Sequence, residues 1–134
     1  MAALLSAQRQ LQAIALRVPA DYRDVGFEEA LYTQRQEWEH SQWKNNPHAS
    51  DETRALRAIR DFEGRILIVE SENDELVPAA TVRSYKNAVT NPTNLSYVIM
   101  AGATHSISHF PELQKEFEVI ISKWLDSFSA AYFR

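Results

Sequence analysis

The stretch GRILIVESENDELVP, residues 64–78, decides the fold of this chain. Its first part, RILIV at residues 65–69, is apolar and β-branched without alternation, which is typical of a β-strand covered on both faces. Four acidic residues follow that strand almost at once: Glu70, Glu72, Asp74 and Glu75. Two interpretations fit this placement: an acidic surface turn, or one carboxylate held at the mouth of a sheet to do chemistry.

The residues that follow predict an alternating order of strands and helices. Pro78 suits the first turn of a helix that runs through AATVRSYKNAV and ends before Asn91 and Pro92. The run LSYVIMA, residues 95–101, predicts a second covered strand, and a last helix is expected to begin near Pro111. The apolar stripe of that helix consists of Leu113, Phe117, Ile120, Ile121, Trp124 and Leu125. The order strand, helix, strand, helix indicates parallel strands joined by right-handed crossovers, with helices packed on the sheet.

The first half of the chain is predicted to be mainly helical. Residues 2–9 favour a helix by propensity, whereas residues 11–18 suit either an extension of that helix or a buried strand ended by Pro19. An amphipathic helix is predicted over residues 27–44, and a second helix over about residues 51–62. With residues 11–18 as a strand, the fold class is α/β, a three-layer arrangement around a partial parallel sheet of about three strands.

Composition limits the class of protein. The 134 residues fit one domain, and a 45% hydrophobic content is that of a soluble globular protein. A net charge of −4 argues against nucleic-acid binding, which usually needs clustered Lys and Arg. The chain has no cysteine, which excludes disulfides and thiolate metal sites, and no His, Asp or Glu cluster has metal-ligand spacing. We therefore expect no metal and no cofactor.

The apolar runs predict no association with a membrane. The start, MAALLSAQRQLQAIAL, has no basic residue before its apolar run, and Gln8, Arg9 and Gln10 divide that run, so it does not fit a secretory signal peptide. No stretch is long enough to span a bilayer. We therefore expect a cytoplasmic location.

Two polar segments follow consecutive predicted strands. One contains Asp74, and the other, GATHS at residues 102–106, contains His105. In parallel sheets, catalytic groups gather beyond the carboxyl ends of the strands, and adjacent strands lie about 5 Å apart. An Asp that accepts a hydrogen bond from an imidazole fixes its tautomer, as in a Ser-His-Asp triad. The alternatives are a turn or helix-capping carboxylate for Asp74 and a loop histidine bonded to backbone for His105.

These segments resemble the α/β-hydrolase superfamily of serine hydrolases, which includes esterases and peptidases. GRILIVESENDELVP is similar to the family's seventh strand and acid loop, in which Asp, two residues and Val-Pro follow an apolar strand. GATHS is similar to the loop that carries the family's catalytic histidine, and the last helix with its Trp-Leu pair also matches. The resemblance implies that Asp74 is the triad acid and His105 the general base. Glu70-Ser71 departs from the pattern, since many relatives have His-Gly or a similar pair there.

The resemblance covers only the C-terminal half of the family's fold. It implies that residues 1–23 form the helix after the nucleophile elbow together with the sixth strand, and that residues 24–62 form cap helices. Residues 63–134 would then form the strand-helix-strand-helix unit that carries the acid and base loops. The family's nucleophile lies in a G-x-S-x-G elbow, and no serine of this chain has that context. We therefore expect no nucleophile in the chain. The nearby candidate serines, none of which has the elbow context, are Ser6, Ser71, Ser106 and Ser108.

Several other side chains have two interpretations. An acyl pocket under the cap would be lined by Tyr22, Trp38 and Trp43, although these rings equally suit packing of the cap against the core. Glu72 and Glu75 are expected to be solvated. The remaining histidines, His40, His48 and His109, are expected on the surface.

Two classes of function follow. In the first, the chain is the C-terminal portion of a serine hydrolase for a small-molecule or peptide substrate, and acts with a complementing N-terminal hydrolase half or as part of a longer native protein. In the second, it is a non-catalytic half-domain that associates with itself. An open sheet edge at residues 11–18 predicts a homodimer in either case.

Overall fold

The computed structural model describes residues 2–24 and 34–129. The expected helix over residues 27–44 is observed from Gln34 onward, and its first part lies outside the described residues. The elements in chain order are α1 (Ala2–Ser6), β1 (Ala13–Arg17), α2 (Gln34–Lys44), α3 (Arg54–Arg60), β2 (Arg65–Ser71), α4 (Ala79–Ala88), a 3-10 turn (Pro92–Asn94), β3 (Leu95–Met100) and α5 (Pro111–Ser129).

The three strands form one parallel sheet in the order β1-β2-β3. Ala13 pairs with Arg65 at the start of β1 and β2, and Ile66 pairs with Leu95 at the start of the β2–β3 ladder. Of the two alternatives for residues 11–18, the strand is observed, because its apolar residues lie beside the buried β2. The parallel order predicted for β2 and β3 is confirmed.

Helices cover both faces of the sheet. Helices α1, α3 and α4 pack on one face, in a core cluster that contains Ile14 and Leu16 of β1, Ile66 and Ile68 of β2 and Tyr85 of α4. Helix α5 packs on the other face through a second cluster made up of Leu67, Val69, Met100, Ala103, Trp124 and Phe128. Because β2 sends alternate side chains into both clusters, it is the most buried element. The three-layer α/β fold is therefore as predicted.

Three details differ from the sequence prediction. Strand β3 is not covered on both faces: Ile99 is 52% exposed, because β3 lies at the edge of the sheet in the described part of the chain. Helix α2 lacks the predicted apolar stripe, and its Trp38 is 65% exposed. On α5, Leu125 is exposed and Phe128 lies in the core in its place, one turn after Trp124.

The segment expected to form a cap, residues 24–62, contains α2 and α3. Helix α3 begins after Thr53, whose side chain accepts a hydrogen bond from the backbone N–H of Leu56, and it contributes Leu56 and Ile59 to the core below the sheet. Helix α3 therefore belongs to the layer on the sheet, and the division of the chain into cap and core stays a prediction. No helix within the described ranges is long and apolar enough to cross a membrane.

Candidate active site

The loop after β2 positions Asp74. The backbone of this loop is hydrogen-bonded to the end of β3 and to the loop after it. Glu72 N–H donates to Met100 O at 3.1 Å, and Asn73 N–H donates to Ala103 O at 2.8 Å. The Asp74 carboxylate then shapes its own turn: Oδ1 accepts hydrogen bonds from the N–H groups of Leu76 and Val77, both at 2.8 Å. Such a turn, in which an Asp bonds to backbone N–H groups just ahead, holds the side chain in one orientation.

The loop after β3 brings His105 to the same edge of the sheet. The chain leaves β3 through Gly102, whose φ of 69° lies in the left-handed region that favours glycine. His105 Nδ1 then lies 3.1 Å from Asp74 Oδ2 and 3.2 Å from Oδ1. The Asp74 side chain is 6% exposed and that of His105 is 31% exposed. A buried carboxylate therefore faces the Nδ1 side of a partly exposed imidazole, whose Nε2 is on the opposite edge of the ring.

Two glutamates join the acid loop to the histidine loop. Glu72 Oε2 accepts a hydrogen bond from Gly102 N–H at 2.7 Å, and Glu75 Oε2 accepts one from His105 N–H at 3.2 Å. Both residues are exposed, as expected of solvated side chains, but their carboxylates also bond to the backbone of the other loop. The acidic residues around Asp74 thus hold the two loops together.

Arg17, the last residue of β1, lies beneath both loops. Its Nη1 donates to His105 O at 2.9 Å, and its Nη2 donates to Thr104 O at 3.1 Å and to Ser71 Oγ at 2.9 Å. Burial lowers the pKa of Arg17, and the negative charge of Asp74 opposes that shift. Sequence reasoning missed Arg17. The signal that could have indicated it is its position: a charged residue at the end of the predicted strand β1, which pairs with the strand that leads into the acid loop.

Of the three aromatic residues expected to line an acyl pocket, Tyr22 and Trp43 lie in one ring stack and Trp38 lies outside it. The Tyr22 ring stacks on His40 with centroids 5.3 Å apart, and Trp43 stacks between His40 at 5.5 Å and His48 at 3.9 Å. Trp38 points into solvent. The expectation that His48 lies on the surface is wrong, since its side chain is 6% exposed and bonds to Glu52. A substrate role for Tyr22, Trp38 and Trp43 stays a prediction.

A cavity with a volume of about 540 Å³ lies along β1. Its lining includes Arg17 and Tyr22 but neither Asp74 nor His105. It also includes Asp21, which is 4% exposed and accepts a hydrogen bond from Thr53 Oγ1 at 2.8 Å. Burial raises the pKa of Asp21, although its hydrogen bonds oppose the shift. Sequence reasoning missed this buried carboxyl, because no local motif around Asp21 indicates that its side chain is buried.

The four candidate serines have other partners. Ser6 Oγ donates to Ala3 O, Ser71 Oγ accepts from Arg17, and the Oγ atoms of Ser106 and Ser108 lie 2.9 Å apart. None of them has the strand-turn-helix context of a nucleophile elbow. In the described part of the chain, no group of three or more His, Asp or Glu side chains could hold a metal ion.

Comparison with solved structures gives a likeness in fold. The structure of an alpha-beta serine hydrolase homologue from Coxiella burnetii matches 90% of this chain, with a TM-score of 0.52 and 17% sequence identity. The matched region spans 42% of that protein's length. No protein-family profile matches the chain, and no curated protein matches it significantly. The fold is thus that of a partial α/β-hydrolase-like domain.

Proposed function

We propose that this chain supplies the acid and base of a serine hydrolase that cleaves ester, amide or peptide bonds, and that it corresponds to the part of the domain that follows the nucleophile elbow. The observation that carries the proposal is the contact of 3.1 Å between Asp74 Oδ2 and His105 Nδ1 at the carboxyl ends of adjacent parallel strands. The hydrolase-like fold supports it, since such sheets place catalytic groups at that edge.

The proposed roles follow from the direction of the contact. With its Nδ1–H bonded to Asp74, neutral His105 keeps Nε2 free of a proton, so Nε2 can take the proton of an attacking hydroxyl. The Asp74 carboxylate stabilises the imidazolium that results, and the same Nε2 then gives its proton to the leaving group. In this proposal the serine nucleophile and the oxyanion hole come from a complementing N-terminal hydrolase half.

The chain by itself is expected to be inactive. It contains no G-x-S-x-G sequence, so acyl transfer has neither its covalent path nor the electrostatic stabilisation of an oxyanion hole. A fluorophosphonate probe tests this: the purified 134-residue chain should remain unlabelled under conditions that label an intact serine hydrolase. Stoichiometric labelling, lost in a serine-to-alanine variant, would reveal a nucleophile in the chain and refute this part of the proposal.

The DNA upstream of Met1 tests the relation to a larger enzyme. An in-frame G-x-S-x-G shortly before Met1 would place the elbow where the proposal needs it. An in-frame stop codon there, with no elbow-containing partner gene, would favour the non-catalytic alternative.

The alternative is a self-associating half-domain, favoured by the open edge of β1. Within the described residues β1 pairs with β2 alone, and its Ala15 is exposed and lines the cavity of about 540 Å³. Free strand edges template pairing with another chain, and a second copy would form a closed two-fold dimer. Sedimentation velocity tests this; a monomer of 15.4 kDa at all concentrations would refute self-association.

A further inference from the structure

Arg17 joins three segments that are far apart in sequence. Its guanidinium bonds Ser71 Oγ at the end of β2 and the carbonyls of Thr104 and His105 in the histidine loop, at 2.9 to 3.1 Å. Ser71 lies three residues before Asp74, and Asp74 N–H donates to Ser71 O at 3.2 Å. One side chain therefore bonds to the backbone of the base and to the strand end from which the acid loop departs.

The contacts of Arg17 differ from those of a surface ion pair. Its hydrogen-bonded acceptors are two carbonyls and a hydroxyl, and its Nε is buried without a hydrogen-bond partner. The guanidinium carbon lies 6.0 Å from the centre of the Phe117 ring on α5. Partial burial of this cation is unfavourable for stability alone, since an apolar side chain would avoid the desolvation, and the nearby charge of Asp74 offsets that cost only in part. Its two directed N–H groups, which fix neighbouring carbonyls, suit positioning instead.

We propose that Arg17 is a positioning residue that holds the histidine loop in the register at which His105 Nδ1 meets Asp74. The inference rests on the proposed acid and base roles of these two residues. Nη1 fixes the carbonyl of His105 itself, and Nη2 fixes the carbonyl of Thr104, so the two peptide units on either side of the His105 Cα are both held. The Ser71 bond ties the same guanidinium to the end of β2, where the acid loop departs.

Lysine cannot replace this arrangement. A lysine keeps the positive charge beside Asp74, but its ammonium is a single point that does not reproduce the planar fork of Nη1 and Nη2. Arg17→Lys therefore separates positioning from charge. Arg65→Lys is the matched control, because Arg65 is also a strand-terminal arginine over an α5 ring, Phe128 at 5.2 Å, at the opposite end of the sheet.

The test measures the rate at which the His105 Nδ1–H proton exchanges with water, by NMR in the ¹⁵N-labelled 134-residue chain. The His105→Gln variant assigns the signal. Arg17→Lys is expected to speed exchange of this proton with water by about tenfold or more, the scale of one lost hydrogen bond. The backbone amide spectrum of Arg17→Lys should remain that of a folded protein, and Arg65→Lys should leave the exchange rate unchanged. Should Arg17→Lys not fold, Ser71→Ala provides the same readout, with less than about tenfold acceleration expected because both bonds to the histidine loop remain.

The outcomes separate this inference from the proposed function. Unchanged exchange in Arg17→Lys, with loss of the slowed proton in Asp74→Asn, overturns the positioning role while the acid and base roles stand. An exchange rate insensitive to Asp74→Asn refutes the pairing itself. Absence of a slowed Nδ1–H proton in the wild-type chain overturns both.

Discussion

The carboxylate of Asp74 lies between its own turn and His105. Oδ1 accepts the backbone N–H bonds of Leu76 and Val77, whereas Oδ2 lies 3.1 Å from His105 Nδ1. The turn-forming and histidine-pairing interpretations of Asp74 are therefore compatible, because Oδ1 alone accepts the turn bonds, while both oxygens lie within 3.2 Å of His105 Nδ1. This division allows the two contributions to be separated by substitution.

Asp74→Asn is expected to keep the turn and reverse the tautomer of His105. The amide oxygen still accepts from Leu76 and Val77, while the amide nitrogen now donates toward Nδ1, which favours the Nε2–H form. Asp74→Ala should also lose the turn bonds and about 1–2 kcal/mol of unfolding free energy. Two-dimensional ¹H–¹⁵N spectra of the imidazole and urea denaturation measure the two effects. Equal stability of Asp74→Asn and Asp74→Ala would contradict this division.

Sequence reasoning reached the sheet and the acid-histidine pair for a definite physical reason. An unbroken apolar run followed by polar residues marks a strand end, and two such ends in consecutive parallel strands must share an edge. Arg17 could not be found in this way, because its acceptor His105 lies 88 positions later and neither residue has a local pattern that indicates the other. The exposure of Ile99 was missed because an edge strand and a central strand can have the same composition.

Asp21→Asn is expected to stabilise the fold increasingly as pH rises. Burial raises the pKa of Asp21, so the native chain retains this proton at pH values where the unfolded chain, with a carboxyl pKa near 3.8, has lost it. The unfolding free energy of the wild type therefore falls as pH rises from that value through the raised native pKa, and stays lower above it. Asparagine does not titrate, and its oxygen can still accept from Thr53. Urea denaturation at about pH 4 and about pH 7 measures the difference.

Asp24→Asn provides a control of opposite sign. Burial alone would raise the pKa of Asp24, but hydrogen bonds from the Arg57 side chain and the Arg54 N–H outweigh it, and the pKa is lowered. The stability from this carboxylate is present above the unfolded pKa and is lost as pH falls through the lowered native value. Asp24→Asn should therefore destabilise the protein more at neutral than at acidic pH. If the unfolding free energies of Asp21→Asn and Asp24→Asn, relative to the wild type, changed with pH in the same direction, the opposite pKa shifts of Asp21 and Asp24 would be contradicted.

Gly64→Ala is expected to destabilise the start of the sheet by about 1–3 kcal/mol. A Cβ at Gly64 would overlap the backbone oxygen of Gln12, which already accepts the Arg65 N–H at 3.0 Å and so cannot move without loss of that bond. Gly102→Ala is the comparison: its Cβ meets open space, and the cost of about 1–2 kcal/mol comes from the left-handed backbone alone. Urea denaturation measures the stability of both variants.

The imidazole spectrum should distinguish these two glycine variants further. Only Gly102→Ala should alter the His105 Nδ1–H signal, because Gly102 shapes the histidine loop, whereas Gly64 lies at the far end of the sheet. A changed signal in Gly64→Ala with an unchanged one in Gly102→Ala would contradict the assigned role of the left-handed turn.

Ala15→Lys is expected to dissociate the proposed homodimer. Ala15 is exposed in the middle of β1, the strand at one end of the described sheet, so a second copy paired with that edge would bring two added charges close together. Asn87→Lys, on the exposed side of α4, adds the same lysine away from that edge and should leave the sedimentation coefficient unchanged. Each variant should retain the wild-type circular dichroism spectrum. A dimer that survives Ala15→Lys but dissociates in Asn87→Lys would place the interface on α4 instead of the strand edge.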